Sequence, residues 1–420
     1  MADVYMPRVI DDELDSLTEL PAILIDGPKA VGKTVTARRR ARTVWSLDDS
    51  AQRSILEADP TLLAGDPPTV LVDEWHRLPG CWDSVRRAVD EDPSPGRFLL
   101  TGSAPTGSTH SGAARIVQVR MRPMTLTERL GSTGTISMGD LLRGDAQAVG
   151  TSSHDLTDYV TEIVAGGFPG MRGLLPRSRQ RQLDGYLDRI VDRDFPEFGV
   201  QVRRPEAVMA WLQAYAAATS TNASFETIRR AAVRGDSPPA KTTVQPYIDL
   251  LTRLRILDQI NGWQPTRNHF KRLTSAPKHH LADPALAARL LRVTAKSLLR
   301  GDTGAVEVIG GGQLLGALFE SLATLSVRTF AQAQDCSTFH LRNRNGTREV
   351  DLIVQDDTEN VLGIEVKLSA TVNDEDVRHL LWLRDRAPGS VIDLIVLNTG
   401  PRAYRRPDGV AVVPLVLLGP

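Results

Sequence analysis

Phosphate chemistry needs backbone amides, a cation and a hydroxyl close together, and Gly27-Pro28-Lys29-Ala30-Val31-Gly32-Lys33-Thr34 has them at the right spacing. Gly27 and Gly32 let the backbone curl, so that amides around Pro28, Lys29, Ala30 and Val31 face a phosphate. Lys33 would meet the β- and γ-phosphates of a nucleotide triphosphate, and the Thr34 hydroxyl would ligate Mg²⁺. Asp73 and Glu74 end a second apolar run. Asp73 would hold the same Mg²⁺ through water, and Glu74 would polarise the attacking water. Thr101 ends a third run, either to sense the γ-phosphate or as an ordinary strand-end hydroxyl. Far downstream stand Glu320, Asp351 and Glu365-Val366-Lys367. Asp351 and Glu365, supported by Glu320, would bind Mg²⁺ or Mn²⁺, with Lys367 positioning a water. Solvent-facing charge on an edge strand is the alternative reading of Glu-x-Lys.

These side chains need particular elements to carry them. Ala22-Ile23-Leu24-Ile25 reads as a strand and Val35 to Arg42 as a helix, so the glycine-bracketed loop lies between strand and helix. Arg42 to Leu47, Thr69 to Glu74 and Arg97 to Thr101 read as further strands, their continuous apolar runs suiting a parallel sheet covered on both faces. Ligands bind beyond the carboxyl ends of such strands, which puts Asp73 beside the loop. Residues 1–20 suggest a short acidic helix, and 102–114 a loop. A soft boundary falls in the Gly/Ser/Thr-rich 131–155, and apolar spacing from 156 to 220 is helical. Ser224 to Ala232 and Thr242 to Leu251 read as two helices around a turn, with a hairpin-like stretch to Trp263. This is a winged-helix plan, with Arg229, Arg230, Arg234 and Lys241 nearby. Its second helix either enters a DNA groove or packs the front segment against a neighbour. After a helix through Leu322, strands 338–342, 349–354 and 362–368 follow, and a hairpin between Val354 and Val361 would bring Asp351 beside Glu365. Three domains are expected, 1–150, 151–300 and 301–420.

The ordered motifs resemble those of a known family. Gly-Pro-x-x-x-Gly-Lys-Thr, Val-Asp-Glu-x-His and Leu-Thr-Gly-Ser are similar to prokaryotic AAA-type ATPases that carry an uncharacterised C-terminal domain. Arg122-Pro123-Met124-Thr125-Leu126-Thr127-Glu128, Ala165-Gly166-Gly167-Phe168-Pro169 and Tyr186 to Asp194 match further stretches of that family. The resemblance implies ATP hydrolysis in an α/β fold: an AAA-type P-loop domain with a parallel sheet, a helical and winged-helix-like middle, and a C-terminal α/β domain. Where the family has Gly-Arg, this chain has Ala114-Arg115. Arg115 is then either a γ-phosphate-sensing or finger arginine, or a surface salt-bridge residue. The tail resembles the metal centre of the restriction-endonuclease-like superfamily. His279-His280 lack a third ligand and are expected at the surface or partly buried.

Composition narrows the classes. The 420 residues carry a formal charge of −1, so any nucleic-acid contact must come from a local patch. Two cysteines, Cys81 and Cys336, lack ligand-spaced neighbours, which points to a reducing compartment. The acidic N-terminus does not suit a signal peptide, and no run reaches the roughly 20 apolar residues of a membrane span. A cytoplasmic location is expected. The absence of Asn/Thr-Lys-x-Asp and Leu-Ser-Gly-Gly-Gln disfavours GTPase-type and transporter-type readings. Three classes stay open: an ATPase with a metal-dependent nuclease, an ATPase with a silent module binding nucleic acid or protein, and a partner-binding ATPase. DNA or RNA, a protein partner or a second copy are the candidate partners, with no membrane.

Overall fold

The computed structural model describes residues 5–102, 114–202, 204–233, 238–264, 276–301, 313–343 and 345–420. Most of the loop after Gly102, Arg234 with its turn, and Lys271-Arg272-Leu273 lie outside the described residues.

The front of the chain builds a sheet from β1 (Ala22–Asp26), β2 (Thr43–Ser46), β3 (Val70–Asp73), β4 (Phe98–Gly102) and β5 (Val117–Arg120). All pairings are parallel, in the order β2-β3-β4-β1-β5. The apolar runs explain why: successive residues face opposite sides, and both sides are covered. Ile23, Ile25, Leu71, Leu99 and Val119 join one core, while Ala22, Leu24, Val70, Val72, Phe98 and Leu100 join another with Trp75, Trp82 and Val85. Because β4 lies between β1 and β3, the tips of all three strands come together at one sheet edge.

A helical middle follows, from Leu156–Ala165 and Pro176–Arg189 through a π-helical turn at Ile190–Asp194 to Pro205–Ala217, Phe225–Ala231 and Lys241–Arg253. Isolated bridges Leu257↔Leu281 and Ile260↔Lys278 then form a narrow antiparallel ribbon.

The second sheet has eight strands and recruits two from far upstream. Its members are β7 (Gly150–Thr151), β8 (Gly262–Trp263), β9 (Ser337–Arg342), β10 (Glu349–Gln355), β11 (Val361–Val366), β12 (Val391–Asn398), β13 (Arg402–Arg405) and β14 (Ala411–Pro414). They run in the order β7-β13-β14-β12-β11-β10-β9-β8, so β7 and β8 form its two edges. Separately, β6 (Ile136–Ser137) pairs with β15 (Leu418–Gly419). The stretch 136–151, expected with the front segment, thus pairs with C-terminal strands. Edges covered in this way offer little to a stray strand.

Leu314–Gln332, a 19-residue helix, is long and apolar enough by composition to cross a membrane. Within the fold it is the core helix of this second body, burying Leu318, Phe319, Leu322, Val327 and Phe330. Asp374–Arg386 packs Val377, Leu380 and Leu383 against the other sheet face.

Candidate functional site

The phosphate loop is shaped by its glycines. A Cβ on Gly27 would stand 2.1 Å from the Met121 carbonyl oxygen, so the loop can pass there only as glycine. Gly32 adopts φ +105° as the residue before the Lys33–Arg38 helix, a conformation that disfavours a side chain. Arg8 holds the loop from outside: it donates to the Val31 carbonyl at 2.8 Å, to the Arg122 carbonyl at 2.8 Å and to Glu128 at 3.0 Å. Glu128, the acid of the Pro-x-x-x-x-Glu stretch, also accepts from the backbone amides of Val9 and Thr125. No motif in the sequence marks Arg8 for this role.

Inside the loop, Lys33 donates to the carbonyls of Gly27 and Pro28, both at 2.8 Å. Burial lowers its pKa to about 8, against the opposing pull of Glu74, Asp26 and Asp73. Thr34 donates to Asp73 at 2.8 Å, and Thr101 makes a short hydrogen bond to the same carboxylate oxygen. Hence Thr34, Asp73 and Thr101, from a helix and two strand tips, meet at one point. Thr34 and Asp73 offer the hard oxygen donors that Mg²⁺ prefers. Glu74 is at φ +56°, ψ +43°, the strained left-handed region, next to that point. Burial and the neighbouring Asp73 raise its pKa, against the pull of Lys33, which makes the carboxylate a stronger base.

Arg115 is elsewhere. It precedes Val117, which pairs with Ile23 near the start of β1, whereas the loop leaves β1 after Asp26. Arg115 therefore sits at the opposite end of the sheet, paired with Asp90 at 2.7 Å. Within one chain this agrees with the salt-bridge reading of Arg115 rather than the γ-phosphate one, because residues before a parallel strand lie at the edge away from the ligand.

Residues of the helical middle reach the loop instead. Lys29 donates to Asp194 at 2.6 Å and lies 3.7 Å from Glu197. Arg255 donates at 2.6 Å to Asp26, the residue just before Gly27. The Gly-Gly-Phe-Pro stretch is a joint. Gly167 donates to Asp283 at 2.8 Å, Arg129 meets the same carboxylate at 2.6 Å, and both side chains are fully buried. Residues 19–130 match the family described as AAA domain. The front segment is an AAA-type P-loop ATPase domain. That assignment implies ATP as ligand and Mg²⁺ with it.

Residues 156–297 match a domain of unknown function (DUF8612), and 315–418 match another (DUF4143). Uncharacterized proteins of Mycobacterium bovis and Mycobacterium tuberculosis are each 26% identical to this chain over 289 residues, 66% of it. The aligned part spans 58% of those relatives' own length. A solved Walker-type ATPase of Pyrococcus abyssi, PABY2304, is 16% identical and covers 69% of this chain and 96% of its own, with a TM-score of 0.42.

The C-terminal cluster converges in part. The β10–β11 register, Leu352 opposite Ile364, sets Asp351 opposite Glu365 on one sheet face. Lys367, just past β11, lies 3.2 Å from Glu365. Yet the centre already holds a cation that the sequence reading overlooked. The Lys278 ammonium is fully buried, 2.8 Å from Glu320, 3.0 Å from Asp351 and 3.4 Å from Glu349. Burial alone would lower its pKa, but Glu320, Asp351 and Glu349 outweigh that and raise it well above the ordinary range. Burial pushes Glu320 up to about 8 despite Lys278, while Lys278 and Lys367 overcome burial to hold Asp351 down at about 2. Glu365, buried and facing Asp351, is raised well above the carboxylate range. The cluster therefore favours the charged form of Asp351 and the protonated forms of Glu320 and Glu365. Among the described residues no group of three or more His, Cys, Asp or Glu side chains is arranged to hold a metal. This arrangement does not fit the expected Mg²⁺ or Mn²⁺.

One further expectation changes, and one pair of alternatives gains an observation. His279 and His280 are both buried, and His279 bonds the Ala223 carbonyl at 2.7 Å and the Tyr215 hydroxyl at 3.3 Å. Arg229, Arg230 and Lys241, candidates for DNA contact, gather on Glu226 at 2.7, 2.9 and 3.7 Å.

Proposed function

We propose that this chain is an ATP-hydrolysing switch whose C-terminal sheet is a non-cleaving module. The observation that carries the first half is the meeting of Thr34, Asp73 and Thr101 beside the phosphate loop. In this reading Lys33 leaves the loop carbonyls for the β- and γ-phosphates, and the backbone from Gly27 to Gly32 cradles them. Thr34 and Asp73 hold Mg²⁺, which when bound offsets phosphate charge. Glu74 takes a proton from the attacking water, and Thr101 fixes Asp73. Lys33→Ala should lose ATP binding, and Glu74→Gln should bind ATP without turning it over. Retained binding by Lys33→Ala in a fluorescent-nucleotide titration would sink the assignment.

The second half rests on Lys278. Its ammonium is where a divalent ion would have to bridge Asp351 and Glu320, so the nuclease-like carboxylates are neutralised from within the chain. In this reading the module binds a protein or nucleic-acid partner and cuts nothing, and the helical middle packs rather than reads DNA, with Arg229, Arg230 and Lys241 lying against Glu226. Mn²⁺-dependent cleavage of DNA or RNA by the parent, abolished by Asp351→Ala and Glu365→Ala but kept by Glu74→Gln, would overturn it.

A further inference from the structure

His76 is buried in the wall of the nucleotide site, and among the described residues neither of its ring nitrogens makes a hydrogen bond. A buried polar group left in that state costs free energy, so it calls for an explanation. Its Nε2 lies between two carboxylates, 3.5 Å from Glu74 and 3.8 Å from Glu197. Burial lowers the imidazole pKa to about 4, so at neutral pH the ring carries a single N–H. One N–H can serve only one of two acceptors well.

Glu197 belongs to the helical middle, one turn after the π-helical stretch at Ile190–Asp194. It also lies 3.7 Å from Lys29 in the phosphate loop and 3.7 Å from Arg77. It therefore meets both walls of the nucleotide site from outside. Distances of this size in a ligand-free enzyme commonly shorten when the substrate is bound.

We propose that His76 and Glu197 are positioning residues for hydrolysis: the Nε2–H of His76 bonds either Glu74 or Glu197, and bonding Glu197 frees Glu74 for the attacking water. The helical middle thereby controls turnover rather than ATP affinity. This rests on the ATPase reading above.

A double-mutant cycle tests it on the full chain, reading kcat and ATP Kd separately. Glu197→Ala should leave the N–H on Glu74 and lower kcat by about tenfold with Kd unchanged. In a His76→Ala background the same substitution should change kcat less than about twofold, because the element that couples the two acids is gone. His76→Gln places an amide N–H near Nε2 and should restore the response to Glu197→Ala. His76 packs its ring 5.7 Å from that of Phe198, so if His76→Ala does not fold, His76→Phe keeps a ring there without a donor and takes its place. An undiminished loss in the donor-free background, or a change confined to Kd, would overturn the proposal and leave the ATPase reading intact. Absence of ATP turnover by the parent, or full turnover by Glu74→Gln, would remove both.

Discussion

Two buried lysines, Lys33 and Lys278, are held in opposite ways. Lys33 faces only carbonyl oxygens at close range, and burial pulls its pKa down to about 8. Lys278 is surrounded by three carboxyl groups, which push its pKa well up. A buried cation lacking a full counter-charge is poised to gain one, and a triphosphate supplies it. A buried cation already compensated gains nothing from a ligand; it holds the structure. Similar loops of acid and lysine thus read as a working site in one region and as a finished one in the other.

The contrast can be broken most directly at the working site. Glu74→Gln should cut ATP turnover by roughly 10²–10⁴ with ATP affinity kept. Lys33→Ala should weaken ATP binding by roughly a hundredfold or more, measured by fluorescent-nucleotide titration. At the finished site, Lys278→Met should leave Asp351 buried without its partner and cost about 3–5 kcal/mol in chemical denaturation. ATP affinity should survive if that variant is assayed under folding conditions. Adding Asp351→Asn and Glu320→Gln should recover much of the loss, since the pair is removed together.

The lowered pKa of Lys33 gives a sharper test. Below pH 8 the free protein already carries the charge that ATP needs. Above pH 8 binding must take up a proton, so affinity should fall as pH rises, by up to about tenfold between pH 8 and 9. An affinity flat from pH 7 to 9 would mean that the Lys33 charge is not under-compensated. The smallest effect is expected in the middle. Reversing Arg229, Arg230 and Lys241 to Glu should leave fluorescence anisotropy with labelled DNA unchanged at every salt concentration. A binding signal in the parent that falls steeply with salt and vanishes in the variant would restore the DNA-reading helix.

The nucleotide site was legible because its parts are local. The loop is one continuous stretch, and Asp73 and Thr101 each end a strand whose apolar run is visible in the sequence. Parallel order then brings the strand tips together. The same rule separates the two readings of Arg115, which precedes its strand instead of following it and pairs with Asp90 as a surface salt-bridge residue would. Asp351 and Glu365 were legible as a hairpin pair. Lys278 was not, because its partners lie 42 and 73 residues downstream and no local pattern links them. Its one signal was a lysine in a short run, Pro277 to Ala282, that is otherwise without charge if its histidines are neutral. Arg8 and Glu128 are 120 residues apart and equally silent. The edge strands β7 and β8 have two residues each, too short for any alternation to show.

The pairing of β6 with β15 sets a clock. Ser137 donates to the Pro420 carbonyl across 283 residues of chain, and β7 must likewise wait for β13. At a synthesis rate of about 5–20 residues per second, these front strands emerge roughly 15–60 s before their partners exist. During that interval the nucleotide-binding sheet can form, since its five strands all lie within the first 120 residues. The stretch from Ile136 to Thr151 cannot. A nascent chain would therefore pass through a stage that carries unpaired β-edges between Ile136 and Thr151.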